Sequence, residues 1–156
     1  MLRRIKMFAD MDDLQILSFA KYLDLVRVRQ FEIVVREGAT GDAMFLILEG
    51  EVRSRSMQDG REITIATLGP GEFFGEMALL DHGPRSADVV ANKDSVLLKI
   101  TSRAFEQILK EAAALAAPFL YALSKTEVAR MRQLLHRYEA SINLSRLSRI
   151  TPPPAA

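Results

Sequence analysis

Hydrophobic and polar positions change their spacing twice along this chain, and these changes divide it into three parts. Between residues 8 and 22, apolar residues such as Leu14, Leu17, Phe19 and Leu23 recur every three or four positions, which predicts a short amphipathic helix. From Leu25 onward apolar and charged residues alternate, which is typical of strands with one buried face. After residue 101 the three-to-four spacing returns and continues to residue 150, so the C-terminal third is predicted to be helical.

The alternating part contains several short strands separated by turn signals. Residues 43–48 form a continuous apolar run bounded by Gly41-Asp42 and Glu49-Gly50, which is typical of a buried strand. Asp59-Gly60 predicts a two-residue hairpin, because both central residues of a type I′ turn need positive φ. Seven or eight close strands without a long helix between them predict a mainly β fold with flanking helices, an antiparallel sandwich or barrel.

The helical part has one expected interruption and one long apolar stripe. Pro118 lacks a backbone donor, so a kink or a fresh helix start is expected there. The apolar stripe that follows consists of Leu120, Leu123, Met131, Leu135, Tyr138 and Ile142. It either packs on the molecule's own sheets or pairs with the same helix of a second chain. The tail, residues 151–156, contains three successive prolines and is predicted to be disordered.

Composition narrows the chemistry that this chain of 156 residues can perform. Its 21 Lys and Arg against 20 Asp and Glu give a net charge of +1, so direct DNA binding is not expected. Cysteine is absent and the two histidines, His82 and His136, are far apart, which argues against metal sites and cupin-type enzymes. No apolar stretch approaches the roughly 20 residues of a membrane span. We therefore expect a cytoplasmic, non-enzymatic protein without metal, cofactor or membrane partner.

Residues 69–87 combine the groups that hold a nucleotide. Gly75 precedes a short predicted helical turn, and the free backbone N–H groups of such a turn attract anions. Arg85 offers a planar guanidinium that matches phosphate geometry. Glu76 cannot bind phosphate, but it can accept a hydrogen bond from a sugar hydroxyl and orient the arginine. A phosphate and a sugar hydroxyl together indicate a nucleotide.

This stretch resembles the phosphate-binding cassette of cyclic nucleotide-binding domains, which runs Phe-Gly-Glu-x-Ala-Leu, a spacer and Pro-Arg-x-Ala. Residues 74–79 and 84–87 match every specified position. Upstream, residues 41–52 are similar to the family's glycine-bounded strands, and the resemblance extends over about residues 8 to 145. It implies an N-terminal helical segment at 1–24, a β-roll or jelly-roll at 25–101 with the cassette at 74–87, and C-terminal helices at 102–150.

The resemblance also implies roles for individual residues. Arg85 would hold the exocyclic phosphate oxygens, and Glu76 would bind the ribose 2′-hydroxyl. Ser86 would donate to phosphate or purine, and serine rather than threonine at this position favours cAMP over cGMP in the family. Arg130, within the stretch 126–133 of the long helix, would close over the purine. The other implied ligand contacts are Ile65 and Phe73 beside the base, and Phe74, Gly75, Met77, Ala78 and Ala87 in the cassette.

We therefore expect a regulatory protein that binds a cyclic nucleotide, cAMP before cGMP, and responds by rearranging its C-terminal helix. The bacterial regulators of the family continue into a winged helix-turn-helix, which has no counterpart after residue 150, so the expected partner is an effector protein acting in trans. A homodimer through the long helix is a second expected assembly. The alternative is a degenerate β-roll that serves as a protein-interaction module without ligand, and the intact Glu76 and Arg85 argue against it.

Overall fold

Two four-stranded antiparallel sheets form the centre of the molecule. The structure is a computed structural model that describes residue 2 and residues 5–150, of which 147–150 are described as backbone only. The strands are β1 (Asp24–Val28), β2 (Ile33–Val35), β3 (Ala43–Glu49), β4 (Val52–Gln58), β5 (Arg61–Leu68), β6 (Phe73–Phe74), β7 (Asp88–Ala91) and β8 (Ser95–Thr101). The first sheet has the strand order β1-β8-β3-β6 and the second sheet has the order β2-β7-β4-β5. This arrangement confirms the predicted antiparallel β-roll.

Strand β3 is covered on both faces, which explains its unbroken apolar sequence. Phe45 and Ile47 pack in a core shared by the two sheets, whereas Met44 and Leu46 pack in a second core against the helices. The predicted hairpin after β4 is also confirmed, since Asp59 and Gly60 have φ values of 51° and 75° and Gln58 pairs with Arg61. The two cores share the first sheet as their common wall.

The N-terminal helix is shorter than its periodicity predicts. A 3-10 turn at Lys6–Phe8 is followed by α1 (Asp13–Ala20), which begins after the Asp12 cap. The side chains of Asp12 and Gln15 each accept a hydrogen bond from the other's backbone N–H, at 2.8 and 2.9 Å, so the helix starts at this capping box. The predicted apolar face is partly wrong, because Ile16 and Phe19 are buried while Leu14 and Leu17 are exposed.

A short helix, α2 (Glu76–Asp81), lies in the cassette between β6 and β7. Two further helices, α3 (Ser102–Glu111) and α4 (Ala113–Ile150), follow the last strand. Thr101 caps α3, because its side chain accepts a hydrogen bond from Ala104 N at 3.1 Å. Of the two expectations for Pro118, the fresh helix start is wrong, since the chain leaves helical geometry at Ala112 and α4 then continues through Pro118, and the kink stays a prediction.

The second half of α4 is exposed. Leu123 is the last fully buried apolar residue on it, and most side chains from residue 131 to 146 are open to solvent. The stripe residues Met131, Leu135 and Tyr138 therefore do not pack on the molecule's own sheets.

A search of the described residues found no helix with the length and apolarity required to traverse a bilayer. The tail predicted to be disordered, residues 151–156, lies outside the described residues.

Candidate functional site

A cleft of about 640 Å³ lies between the second sheet, the cassette and α4. Strand β5 forms one side of it, α2 and the following loop form another, and the middle of α4 lies along the third. All eleven residues that the sequence predicts as ligand contacts line this cleft: Ile65, Phe73, Phe74, Gly75, Glu76, Met77, Ala78, Arg85, Ser86, Ala87 and Arg130.

Close packing around two glycines shapes the cassette turn. Gly75 has φ +81°, and a Cβ added there would lie 2.5 Å from Arg85 Nη1 and 2.9 Å from the Ala43 carbonyl oxygen. Gly41, two residues before β3, is equally restricted, because a Cβ would lie 2.1 Å from Ala78 Cβ and 3.2 Å from Arg85 Nε. Only glycine fits at either position, so both residues hold α2 and Arg85 close together.

Arg85 is a buried cation with few protein partners. Its backbone pairs with the loop before β3, since Arg85 N donates to the Ala39 carbonyl at 2.8 Å and Gly38 N donates to the Arg85 carbonyl at 2.9 Å. Its side chain donates to the Gly75 carbonyl at 3.3 Å, and no described carboxylate lies within 4.0 Å of it. The residue is only 8% exposed. Burial lowers the pKa of this guanidinium, and the charges of Asp42 and Glu76 oppose that shift.

Glu76 is the second buried charge of the cleft. It is the first residue of α2 and is 8% exposed. Burial raises the pKa of its carboxyl, and a hydrogen bond to its own backbone and the charge of Arg130 oppose this rise. Its Oε1 lies 3.3 Å from Arg130 Nη1. The cleft thus contains the buried Glu76 carboxylate and the buried Arg85 guanidinium, a combination suited to a ligand that carries both a hydroxyl and an anion.

Arg130 is held by the protein instead of projecting freely over the cleft. Its Nη2 donates to the Phe73 carbonyl at 2.7 Å, and its guanidinium lies 4.4 Å from the centre of the Phe73 ring. Its Nη1 lies 3.0 Å from Glu127 Oε1 as well as 3.3 Å from Glu76 Oε1. Arg130 therefore links α4 to the cassette.

The other predicted contacts differ in how far they are available to a ligand. Phe74 is buried and stacks on Phe45 with ring centres 5.1 Å apart, so it belongs first to the core between the sheets. Ile65, Met77 and Ser86 are exposed on the wall of the cleft. Ala78 is a buried residue of α2, and Ala87 is half-buried.

The sequence alone assigned no individual role to four residues that shape this site, although Gln133 ends the stretch 126–133 predicted to cover the purine. The sequence indicated Gly41 only as part of a glycine-bounded strand. A Gly-Asp pair before an apolar run is a turn signal, and close packing at such a turn is one reason for glycine. Gln133, Leu134 and Arg137 also line the cleft. Their spacing from Arg130, at three, four and seven positions, places them on the same helix face and was the available signal.

The titratable groups of the cleft can hold a ligand in place. Across the described residues, no group of three or more His, Cys, Asp or Glu side chains could hold a metal ion. The titratable groups with shifted pKa that line the cleft are Glu76 and Arg85. One carboxylate and one permanently charged guanidinium can hold a hydroxyl and an anion in fixed positions.

Comparison with known proteins decides the family. The sequence model described as the cyclic nucleotide-binding domain matches residues 25–112, more than half of the chain. The chain belongs to the cyclic nucleotide-binding domain family. The matched segment contains the whole roll and α3, so the family and the β-roll predicted from the sequence are both confirmed.

Relatives of this cyclic nucleotide-binding domain include a bacterial receptor and a kinase subunit. The chain is 51% identical to the Cyclic AMP receptor protein of Thermus thermophilus over 65 residues, which are 41% of this chain and 30% of that protein. It is 42% identical to the cAMP-dependent protein kinase type II regulatory subunit of Drosophila melanogaster over 79 residues, 50% of this chain and 21% of that protein. These matches span less than a third of either relative.

Solved structures agree with the fold. A cyclic nucleotide-binding domain from Methylobacillus flagellatus superposes with a TM-score of 0.79 at 26% identity, covering 99% of this chain and 83% of that one. The Catabolite Activator Protein of Thermus thermophilus gives a TM-score of 0.73 at 31% identity, covering 92% of this chain and 63% of that one. The likeness thus includes the C-terminal helices as well as the roll.

Proposed function

We propose that this protein is a non-enzymatic cytoplasmic regulator that binds a 3′,5′-cyclic nucleotide in the cleft, with cAMP preferred over cGMP. The observation that carries the proposal is Arg85, a buried guanidinium beside the glycine turn with no carboxylate within 4.0 Å in the described part of the chain. A buried unpaired charge costs free energy. A ligand phosphate at the turn supplies the missing anion, with a charge-assisted and bidentate contact.

The remaining parts of the ligand follow from the phosphate position. Glu76, next to the turn, accepts the ribose 2′-hydroxyl, and Arg130 holds its carboxylate in place at 3.3 Å. Ser86 gives one hydroxyl to the phosphate or purine, and the serine at this position is the basis for preferring cAMP. Because the Arg130 guanidinium is engaged by Phe73, Glu76 and Glu127, we assign the cover over the base to Leu134, one turn further along α4.

The regulatory step uses the link between the cassette and α4. A nucleotide that contacts Glu76 and the cleft-lining residues of α4 binds most tightly when α4 lies across the cleft, so it shifts the population toward that position. The exposed residues Met131, Leu135 and Tyr138 on the other side of α4 then present the response to a second copy of the chain or to an effector protein in trans. The names of the relatives, a receptor and a kinase regulatory subunit, support such a role.

The test is calorimetric titration of cAMP into the wild type and Arg85→Ala. We expect the substitution to weaken cAMP binding by about 2–4 kcal/mol, because it removes a charged partner from a sheltered phosphate. The unfolding temperature should be retained, since the lost group is an unpaired buried charge. Arg103→Ala, an exposed arginine on α3 outside the cleft, is the matched control and should bind like the wild type.

Two outcomes would contradict the proposal. Retained cAMP affinity in folded Arg85→Ala would show that the cassette does not bind the phosphate. A wild-type protein that is folded but gives no heat with cAMP or cGMP would favour the interaction module without ligand.

A further inference from the structure

The cleft face of α4, defined as the six residues that line the cleft, extends well beyond Arg130. Each of its positions has another three or four residues away, so they share one side of the helix. At 1.5 Å per residue the face is about 16 Å long. Its residues are Thr126, Ala129, Arg130, Gln133, Leu134 and Arg137.

The base of a bound nucleotide has room at only one end of this face. Arg130 marks the ribose, because it contacts Glu76. On the N-terminal side, Ala122 and Leu123 are buried in the helix core, and the Thr126 hydroxyl donates to the Ala122 carbonyl at 3.1 Å. On the C-terminal side the side chains are exposed. The base therefore lies toward Leu134 and Arg137, a step that rests on the proposed function.

Arg137 is the charged group at that end. It lies two turns, or about 10 Å, beyond Arg130 along the axis. Helical side chains lean toward the helix N-terminus, so its guanidinium is directed back toward the position of Leu134. No ion pair or hydrogen bond within the described part of the chain engages it. An unengaged cation on the cleft wall is available to the ligand.

The chemistry of a guanidinium discriminates between purines. Guanine presents two adjacent acceptors, O6 and N7, whereas adenine presents N7 beside the N6 amino donor. Arginine carries only donors, so it can make two bonds to guanine but meets a second donor on adenine. We propose that Arg137 contacts the six-position edge of the purine and favours 6-oxo purines, which limits the cAMP preference conferred by Ser86.

The experiment compares three cyclic nucleotides by calorimetry with the wild type, Arg137→Ala and Arg132→Ala. Cyclic IMP carries the O6 and N7 of guanine without its 2-amino group, so it isolates the proposed contact. We expect Arg137→Ala to weaken cGMP and cyclic IMP about tenfold while cAMP changes less than about twofold. Arg132 lies on the same exposed helix but outside the cleft face, and Arg132→Ala should leave all three affinities unchanged.

Each other outcome is decisive. Equal weakening of the three nucleotides in Arg137→Ala would mean that Arg137 attracts the phosphate in general, and the inference would be wrong while the proposed function held. An effect on cGMP without an effect on cyclic IMP, or the same effect in Arg132→Ala, would also overturn it. Absence of binding by the wild type would overturn the proposed function itself, together with this inference.

Discussion

Glu76 illustrates how a single buried side chain trades stability against binding. Burial raises the pKa of its carboxyl, so the folded protein holds this proton more tightly than the unfolded chain does. Its contribution to stability is therefore largest at low pH, and it declines as the pH rises through the raised pKa. The ionised form, which is unfavourable for the fold at neutral pH, is the form that accepts a ribose hydroxyl.

Glu76→Gln should consequently affect stability and binding in opposite directions. Without the buried charge, the ligand-free protein should unfold at a higher temperature at neutral pH. The affinity for cAMP should fall by about 1.5–3 kcal/mol, the contribution of a hydrogen bond to a charged group. Thermal unfolding and calorimetry at pH 7 measure the two effects.

The control is 2′-deoxy-cAMP, which lacks the hydroxyl and should bind the wild type and Glu76→Gln alike. In the wild type the affinity for cAMP should also decline on acidification, beginning above the ordinary glutamate value of 4.5, and Glu76→Gln should lose this pH dependence. Equal weakening of cAMP and 2′-deoxy-cAMP would contradict the assignment of Glu76 to the ribose.

Phe31 carries backbone strain in the turn between β1 and β2. Its φ is +68° and its side chain is 69% exposed, so neither packing nor conformation favours phenylalanine there. Phe31→Gly should stabilise the protein by roughly 0.5–1 kcal/mol, because relief of the left-handed strain exceeds the extra entropy of glycine in the unfolded chain. Chemical denaturation measures this change.

Phe31→Ala is the matched control, since it removes the exposed ring but keeps the strain. It should change stability by less than about 0.5 kcal/mol. If Phe31→Gly were no more stable than Phe31→Ala, the positive φ would not be a source of strain.

At the same scale, the sequence predicted the cassette residues because their chemistry and spacing are local. Arg85, Glu76 and Gly75 lie within eleven positions and have distinctive side chains. The partners of Arg130 could not be predicted this way. Its contacts with Glu76 and the Phe73 carbonyl join parts of the chain more than fifty residues apart, and only the packing of α4 brings them together.

At the scale of elements, the sequence predicted where the helices lie, but it did not predict which face of α1 is buried or where the chain breaks between α3 and α4. Period alone does not say which side of α1 is covered, and here the turn containing Phe8 and the stacking of Phe19 on Phe119 select it. The break at Ala112 falls among alanines, which are good helix formers. Ile108 and Phe119, on the two sides of the break, are both buried in the helix core, and this tertiary packing has no local signal in the sequence.

The role of α4 as an element can be tested by shortening it. A chain that ends after Glu127 lacks Arg130 and most of the cleft face, so we expect cAMP affinity to fall at least about tenfold, equivalent to 1.4 kcal/mol. The fold should persist, because the buried part of α4 ends at Leu123. Calorimetry and thermal unfolding of the shortened chain make the measurement.

A chain that ends after Glu139 keeps every cleft residue and serves as the control, with affinity like the full chain. Unchanged affinity in the shorter truncation would mean that the roll closes its own cleft and that α4 only packs beside it.

For the whole molecule, the decisive feature is that α4 carries two separate faces. Besides the cleft face, an apolar seam with spacings of three and four runs along the exposed half of the helix, as in a coiled coil. Because both lie on one continuous helix, we expect occupancy of the cleft and pairing of the seam to be thermodynamically coupled. The seam consists of Val128, Met131, Leu135, Tyr138 and Ile142.

Leu135→Glu should therefore abolish a homodimer while it leaves the cleft residues in place, so any change in cAMP affinity measures the coupling between the seam and the cleft. Leu135 is exposed and lies on the seam outside the cleft face, and each dimer would bury two added carboxylates facing each other. We expect dimer dissociation to become at least about a hundredfold easier, or about 2.7 kcal/mol. Light scattering with and without cAMP measures the oligomeric state.

Leu144→Glu provides the comparison, since Leu144 is similarly exposed but lies off the seam, and this variant should dimerise normally. A wild-type protein that stays monomeric with and without cAMP would assign the seam to an effector protein instead.

The break at Ala112 and the last buried contact at Leu123 make the outer part of α4 a mechanical lever. From Leu123 to residue 146 the helix extends about 35 Å with its side chains largely free of the roll. A rotation of about 10° at Leu123 would move residue 146 sideways by roughly 6 Å. The same rotation moves α4 at Arg130 by about 2 Å, so a nucleotide that displaces Arg130 moves the far end of α4 about three times as far and changes where it meets another helix.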